Sequence, residues 1–442
     1  MGDGTRLDDL AEALPEGAVA VDFYLHRWYE PARRDGGKLK RRGRWTSPHV
    51  SAWVVRRGLP LLRFDLGKAN LIAEAVRDFH EEVLGERGLL RGVQVAVVVE
   101  GAKATAGNDR LRELLWEPLV EAIGDARQVF VSGDGFLGSV PIEVLRREDG
   151  RYLIEQHAFV YLGDLTRLPE AVSDVDEPEP RLLAVGDVDF WSRAELEDPA
   201  TEPTYTDDRA RVTRTWPSLA GTRGEVEAIA ALHRRAGVDG EAQLLLEGED
   251  ATEERIKQDV SSFTHVHLAT HGYFLPEGMP SAWRNLPERG GEDGRSRLRE
   301  AEQLLIGVLP GLLSGLVFAG ANIEATPGRD NGLLTAEEIT YLDLSACETG
   351  LGRPESGEGM IGLRRAIRMA GARTVISSLW EVSDASTSDL MTLFYENLWL
   401  RDMPKFEALR QAQLTLLEHN RETHGHGLPS TWGAFVLDGA PE

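Results

Sequence analysis

Cysteine is nearly missing from this chain of 442 residues: Cys347 is the only one. A single thiol excludes an intramolecular disulfide and any metal site built from paired cysteines, so a reducing compartment is the simplest setting. Long apolar runs are missing as well. The opening MGDGTRLDDL is acidic and polar and lacks the apolar segment of a secretory leader, and no stretch reaches the roughly 20 apolar residues of a membrane-spanning helix. The expectation is a soluble, cytoplasmic protein with no membrane association. Positive charge is scarce, with 49 Lys and Arg against 73 Asp and Glu, and the formal charge of −24 argues against direct nucleic-acid binding. The exception is RRDGGKLKRRGR, Arg33 to Arg44. Its glycines read as a solvated hairpin tip, with a basic docking loop as the less favoured alternative. No repeat of fixed period is present, which excludes a solenoid.

What is there suits a globular protein of two or three domains: 42% hydrophobic and 28% charged residues. AVAVDFYL, HVSAWVVRR and PLLRFDL have strand character, ANLIAEAVRDFHEEVLG has helical spacing, and VQVAVVVEGA from Val93 reads as a further strand. RLRELLWEPLVEAIG follows as a helix and RQVFVSGDG as a strand. The proline- and acid-rich SDVDEPEPR, Ser173 to Arg181, is the best boundary, dividing 1–173 from 174–442. Beyond it RLLAVGDVDF is a strand, TRGEVEAIAALHRRAG a helix closed by Gly237, and AQLLLEGEDATEERIKQ a strand and then a helix with capping-box spacing from Asp250 to Glu253. HVHLATHG and TYLDLSA are expected strands, with a polar segment 276–302 between them. Strands that repeatedly feed helices predict an α/β fold, a mostly parallel sheet with helices on both faces.

In such a sheet, side chains that do chemistry stand just past the carboxyl ends of strands. His271 and Cys347 are each expected there. His265 and His267 fall inside HVHLA, where alternation sends both to one face to pack against a covering helix. Gly272 follows His271, and its missing side chain leaves a backbone N–H room to meet a substrate oxygen. A lone cysteine is more often an inert buried residue. The small, polar setting SACETG after an expected strand favours instead a thiolate assisted by a nearby imidazole.

At these residues the chain resembles the CHAT proteases, caspase-like peptidases usually found with tetratricopeptide repeats and related to separases and caspases. The resemblance covers most of the chain from about Leu14 to Trp399, and it is carried by VFVSGDGFLGSVPIEVL, HLATHGYF, LLSGLVFAGAN, NGLLTAEEI, SACETGLG and GLRRAIRMAGARTVISSLWEVSD. ATHG, SACETG and SLWEVSD in that order are specific. The resemblance implies a cysteine endopeptidase in which Cys347 attacks the scissile carbonyl and His271 moves the proton, with the backbone N–H groups of Gly272 and Cys347 as the oxyanion hole. It implies a preceding non-catalytic caspase-like module in 1–173, a protein substrate, a sensor domain or subunit that can be a tetratricopeptide-repeat protein, and a setting in bacterial defence or cell death. No cofactor or metal is expected. Asp384 and Trp380 are candidates to line the pocket for the residue before the cut, and so are Ser345 and Asp343, placed on the face of Cys347 by strand alternation. A basic residue at the cut, or a small or apolar one, fits these groups. Two departures stand out. TAEEI runs through TYLDL directly into SAC, where family members have a longer connection with its own apolar strand. No repeat array accompanies the domain, which implies either a piece of a longer polypeptide or a short form with a separate sensor. A non-catalytic caspase-like scaffold is the alternative function.

Overall fold

The computed structural model describes residues 7–35, 38–84, 106–173, 178–191, 215–237, 242–274, 314–323, 330–344, 348–351 and 357–442. The expected strand from Val93 and the polar segment 276–302 lie outside them. The chain divides into two compact units: Met1–Val175 with Pro404–Glu442, and Asp176–Met403. The first boundary falls beside the acidic linker. The last 39 residues, assigned by the sequence reading to the second part, belong to the first unit.

In the first unit, strands 435–439, 158–161, 128–133, 18–26, 49–56 and 62–68 lie side by side in that order. The pairs from Phe435–Gly439 to Ala18–His26 are parallel, and the last two strands run antiparallel as a meander. Inward residues of strand Ala18–His26, such as Val19, Val21 and Phe23, are almost completely buried, as alternation requires. Helices Ala69–Leu84 and Ala106–Leu115 approach so closely that a Cβ on Gly107 would come within 2.7 Å of the Asp78 backbone. Glu82 accepts the N–H groups of Gly107 and Asn108 at 2.9 and 3.0 Å, satisfying donors that the first turn of a helix leaves open. Between strands 18–26 and 49–56 the ladder runs on into a narrower arm, Arg33–Asp35 against Lys38–Arg41, so the basic segment forms the expected hairpin.

In the second unit five strands lie in the order 243–248, 182–188, 265–268, 348–351 and 374–378, all parallel. Helices Thr222–Arg235, Glu253–Asp259, Gly357–Met369 and Asp384–Leu400 connect or cover them. Val266 and Leu268 enter an apolar cluster with Leu183, Val185, Leu363, Ile367 and Val375, while His265 and His267 face the other way. His267 Nε2 lies 2.9 Å from Glu225 Oε1 on one covering helix, and the His265 ring meets Trp399 on another at 5.5 Å. Both histidines are structural, as alternation predicted. A small antiparallel sheet, Gly272–Phe274, Ser314–Val317 and Leu333–Thr335, packs its Tyr273, Leu316 and Leu334 into the same apolar cluster.

The helix Thr222–Arg235 ends as expected, with Gly237 at φ +85° just past its cap. Two local expectations fail. Helix Glu253–Asp259 is capped by Thr252, whose hydroxyl accepts Arg255 N–H at 3.2 Å, rather than by Asp250. TYLDL is not a strand. After the helix Ala336–Ile339, held by a Thr335–Glu338 capping box, the chain turns and buries Leu344, whose N–H donates to Ala370 O at 2.8 Å. The sheet position beside His265–Leu268 is taken by Glu348–Leu351 instead. Only eight residues separate Ile339 from Glu348, and Leu342 and Leu344 are drawn into the apolar cluster, so that stretch does not lie down as a strand.

Candidate functional site around His271

His271 stands three residues past strand His265–Leu268, at its carboxyl end, where a parallel sheet presents reactive groups. It is 8% exposed, and its ring lies between Phe190 and Trp216 with centroids at 5.2 and 5.4 Å. Nε2 is 2.8 Å from the carbonyl oxygen of Pro217. A carbonyl only accepts, so Nε2 carries the hydrogen and donates it. The neutral imidazole therefore has its lone pair on Nδ1, the tautomer in which that nitrogen takes up a proton. The same carbonyl stabilises the imidazolium formed when it does so.

The backbone around His271 is fixed from both sides. Val317 N–H donates to His271 O at 2.9 Å, and the Thr270 hydroxyl donates to Val317 O. That pattern makes Gly272 and Leu316 a non-hydrogen-bonded pair of the antiparallel ladder, so Gly272 N–H points away from strand Ser314–Val317. That N–H is therefore not spent on the ladder with this strand.

The loop that supplies Pro217 also receives Asp384. A Cβ built on Gly221 would approach Asp384 Cβ to 2.6 Å, so only glycine lets the first residue of helix Asp384–Leu400 sit there. His271 and Asp384, 113 positions apart, are thus held by one segment, Trp216–Gly221. Trp380 is 3% exposed, among the buried apolar residues. Asp343 is exposed in the turn after helix Ala336–Ile339, and neither it nor Leu344 is part of a strand. Ser345 and Cys347 lie outside the described residues, and so does the expected approach of the thiol to His271. The described residue next to Cys347 in the chain, Glu348, pairs with His265 at the amino end of the strand whose carboxyl end leads to His271.

Sequence reasoning missed Phe190, Trp216 and Pro217. They are 81, 55 and 54 positions from His271, and no local spacing announces a contact of that kind. The residues that signalled the site were the histidine and glycine at a strand end. Among the described residues no group of His, Cys, Asp and Glu has the arrangement to hold a metal ion, and no helix is long and apolar enough to cross a membrane.

A largely parallel sheet covered by helices, with an imidazole oriented at a strand end, defines the class: an α/β protein. The CHAT domain model matches residues 106–440, and the chain belongs to that family. Its match spans residues of both compact units. The human Tetratricopeptide repeat protein 28 is 29% identical over 203 residues, 44% of this chain and 8% of that protein. Among solved structures, the Saccharomyces cerevisiae separase–securin complex aligns with 98% of this chain and 31% of the other at a TM-score of 0.52 and 9% identity, a likeness of fold. The chain therefore spans less than a third of either protein's length.

Proposed function

We propose that this protein is a caspase-like cysteine endopeptidase that cuts a protein partner with Cys347 as nucleophile and His271 as base. The observation that carries this reading is the Nε2–H to Pro217 carbonyl hydrogen bond, which sets the tautomer for proton uptake at Nδ1. Nδ1 takes the thiol proton, and the sulfur attacks the peptide carbonyl. The resulting oxyanion is met by the N–H groups of Gly272 and Cys347. The imidazolium then protonates the departing amine, leaving a thioester that water hydrolyses with His271 again as base. Asp384, held beside the loop that orients His271, gives the pocket its acidic group and favours a basic residue before the cut, with a small or apolar residue as the competing preference. In this reading 174–442 is the catalytic part, its last 39 residues folding with the non-catalytic 1–173. Control by a sensor domain or subunit, of the tetratricopeptide-repeat type and in a bacterial defence or cell-death pathway, follows from the family resemblance.

One observation favours the second reading, a non-catalytic scaffold that binds its partner without cutting it. Strand Glu348–Leu351 starts level with His265, at the end of strand His265–Leu268 away from His271. Both readings are tested by alkylation with iodoacetamide and by incubation with candidate partner proteins followed by mass spectrometry. A peptidase alkylates at Cys347 faster than free glutathione at pH 7, loses that excess in His271→Ala, and yields cut products that vanish in Cys347→Ala. Ordinary alkylation rates and intact partners establish the scaffold.

A further inference from the structure

The amino-terminal sheet carries a second surface, remote in sequence from His271 and independent of any peptidase reading. Strands Ala18–His26 and His49–Arg56 pair up to His26 and His49. Past them the arm is continued by Trp28 N–H to Thr46 Oγ1 at 3.0 Å, Thr46 N–H to Trp28 O at 2.8 Å, and the pairs Tyr29 with Trp45 and Glu30 with Arg44. Four of the six exposed aromatic residues among the described ones lie here: Tyr24, Trp28, Tyr29 and Trp45, at 49, 40, 54 and 65% exposure. Scattered single aromatics need no explanation, but a cluster does.

The rings are held in place before any partner arrives. Trp28 packs against His26 and His49 at 4.3 and 5.0 Å, and the Arg63 guanidinium lies 5.7 Å from Trp28 and 5.6 Å from Trp53. Ser51 Oγ ties this face together, 2.7 Å from His26 Nε2 and accepting from Arg63 at 3.1 Å. On the arm itself Tyr29 and Trp45 stack edge-on at 5.4 Å, and Tyr29 covers Gly43 so closely that a Cβ there would collide with its hydroxyl. Ordered Trp, Tyr and Arg side chains are the groups that carry binding energy at protein interfaces, because little rotamer freedom is lost on contact.

Charge selects the partner. The segment Arg33 to Arg44 holds seven Lys and Arg and one Asp, a net +6 in a chain of −24, which leaves −30 for the rest. A long polyanion would feel that remainder, whereas a short acidic segment responds to charges within a screening length of about 10 Å. We propose that this arm is a docking surface for an acidic segment of a partner protein, one whose leucine or tyrosine side chains pack on Trp28, Tyr29 and Trp45 while its carboxylates meet the exposed Arg42 and Arg44.

Fluorescence anisotropy on the full chain tests this with three labelled probes: a peptide of about twelve residues repeating Glu-Glu-Leu-Tyr, its Lys-Lys-Leu-Tyr counterpart, and an oligouridylate of about the same length. The glutamate peptide is expected to bind, to weaken as salt is raised, and to lose at least about tenfold in affinity in Arg42→Glu/Arg44→Glu and, separately, in Trp28→Ala/Trp45→Ala. Both pairs of positions are exposed, and an unchanged urea midpoint confirms that each variant folds. Equal binding of the lysine peptide, tighter binding of the oligouridylate, or undiminished binding by both folded variants overturns the proposal.

Discussion

At the scale of single residues, two glycines a turn apart separate a close approach from an open position. Gly221→Ala forces a Cβ to within 2.6 Å of Asp384 and is expected to destabilise the protein by about 1–3 kcal/mol, whereas Gly224, inside the helix that Gly221 caps and with nothing within 4 Å of the added carbon, gains about 0.5–1 kcal/mol when changed to Ala. Urea denaturation of the two variants gives opposite signs; equal effects would show that Asp384 does not sit where it is described. Glu225→Ala leaves the buried His267 without its 2.9 Å partner and is expected to cost about 1–3 kcal/mol by the same measurement, with Glu225→Gln recovering part of the loss. His271 was legible from its position at a strand end. Its orientation was not, because the Pro217 carbonyl and the flanking rings of Phe190 and Trp216 come from segments more than fifty positions away.

At the scale of elements, boundaries written in local chemistry were readable and those set by competition for the core were not. The strand HVHL and the helix Thr222–Arg235 closed by Gly237 follow from alternation and from a left-handed glycine, which operate over a few residues. TYLDL has strand composition, yet Leu342 and Leu344 find apolar partners without it and the four residues from Glu348 take the ladder. A capping residue is likewise decided by geometry rather than by spacing. Thr252→Ala removes the hydroxyl that accepts Arg255 N–H and should cost about 1 kcal/mol, while Asp250→Ala should change stability by no more than about 0.5 kcal/mol. Thermal unfolding of both variants checks this, and a larger loss at Asp250 would restore the capping-box reading.

At the scale of the whole molecule, protonation links histidines in both units to stability. Burial lowers the pKa of His80, His157 and His233 below the ordinary 6.5, only partly offset by the carbonyls of Ser139, Ala126 and Pro180 respectively. The folded protein keeps these rings neutral where the unfolded chain would charge them. Stability from this source is complete above about pH 6.5 and falls as pH drops below it, by at most about 1.4 kcal/mol per pH unit for each ring, until the folded-state pKa values are reached. Urea midpoints should therefore decline from pH 7.5 to pH 5.5, and His157→Gln should flatten the slope; a slope identical to that of the unaltered chain would remove His157 from the account.

The return of the chain at Pro404 has a consequence for processing. Residues 176–403 are an insertion, anchored covalently at both ends in a unit assembled from 1–175 and 404–442, with helix Lys405–His424 and strand Phe435–Gly439 among its parts. A proteolytic nick anywhere within the insertion gives two fragments that each own a share of that unit. Its strands and buried Trp432 hold the halves together without a peptide link, so a cut protein migrates as two bands in denaturing gels and as one species in gel filtration.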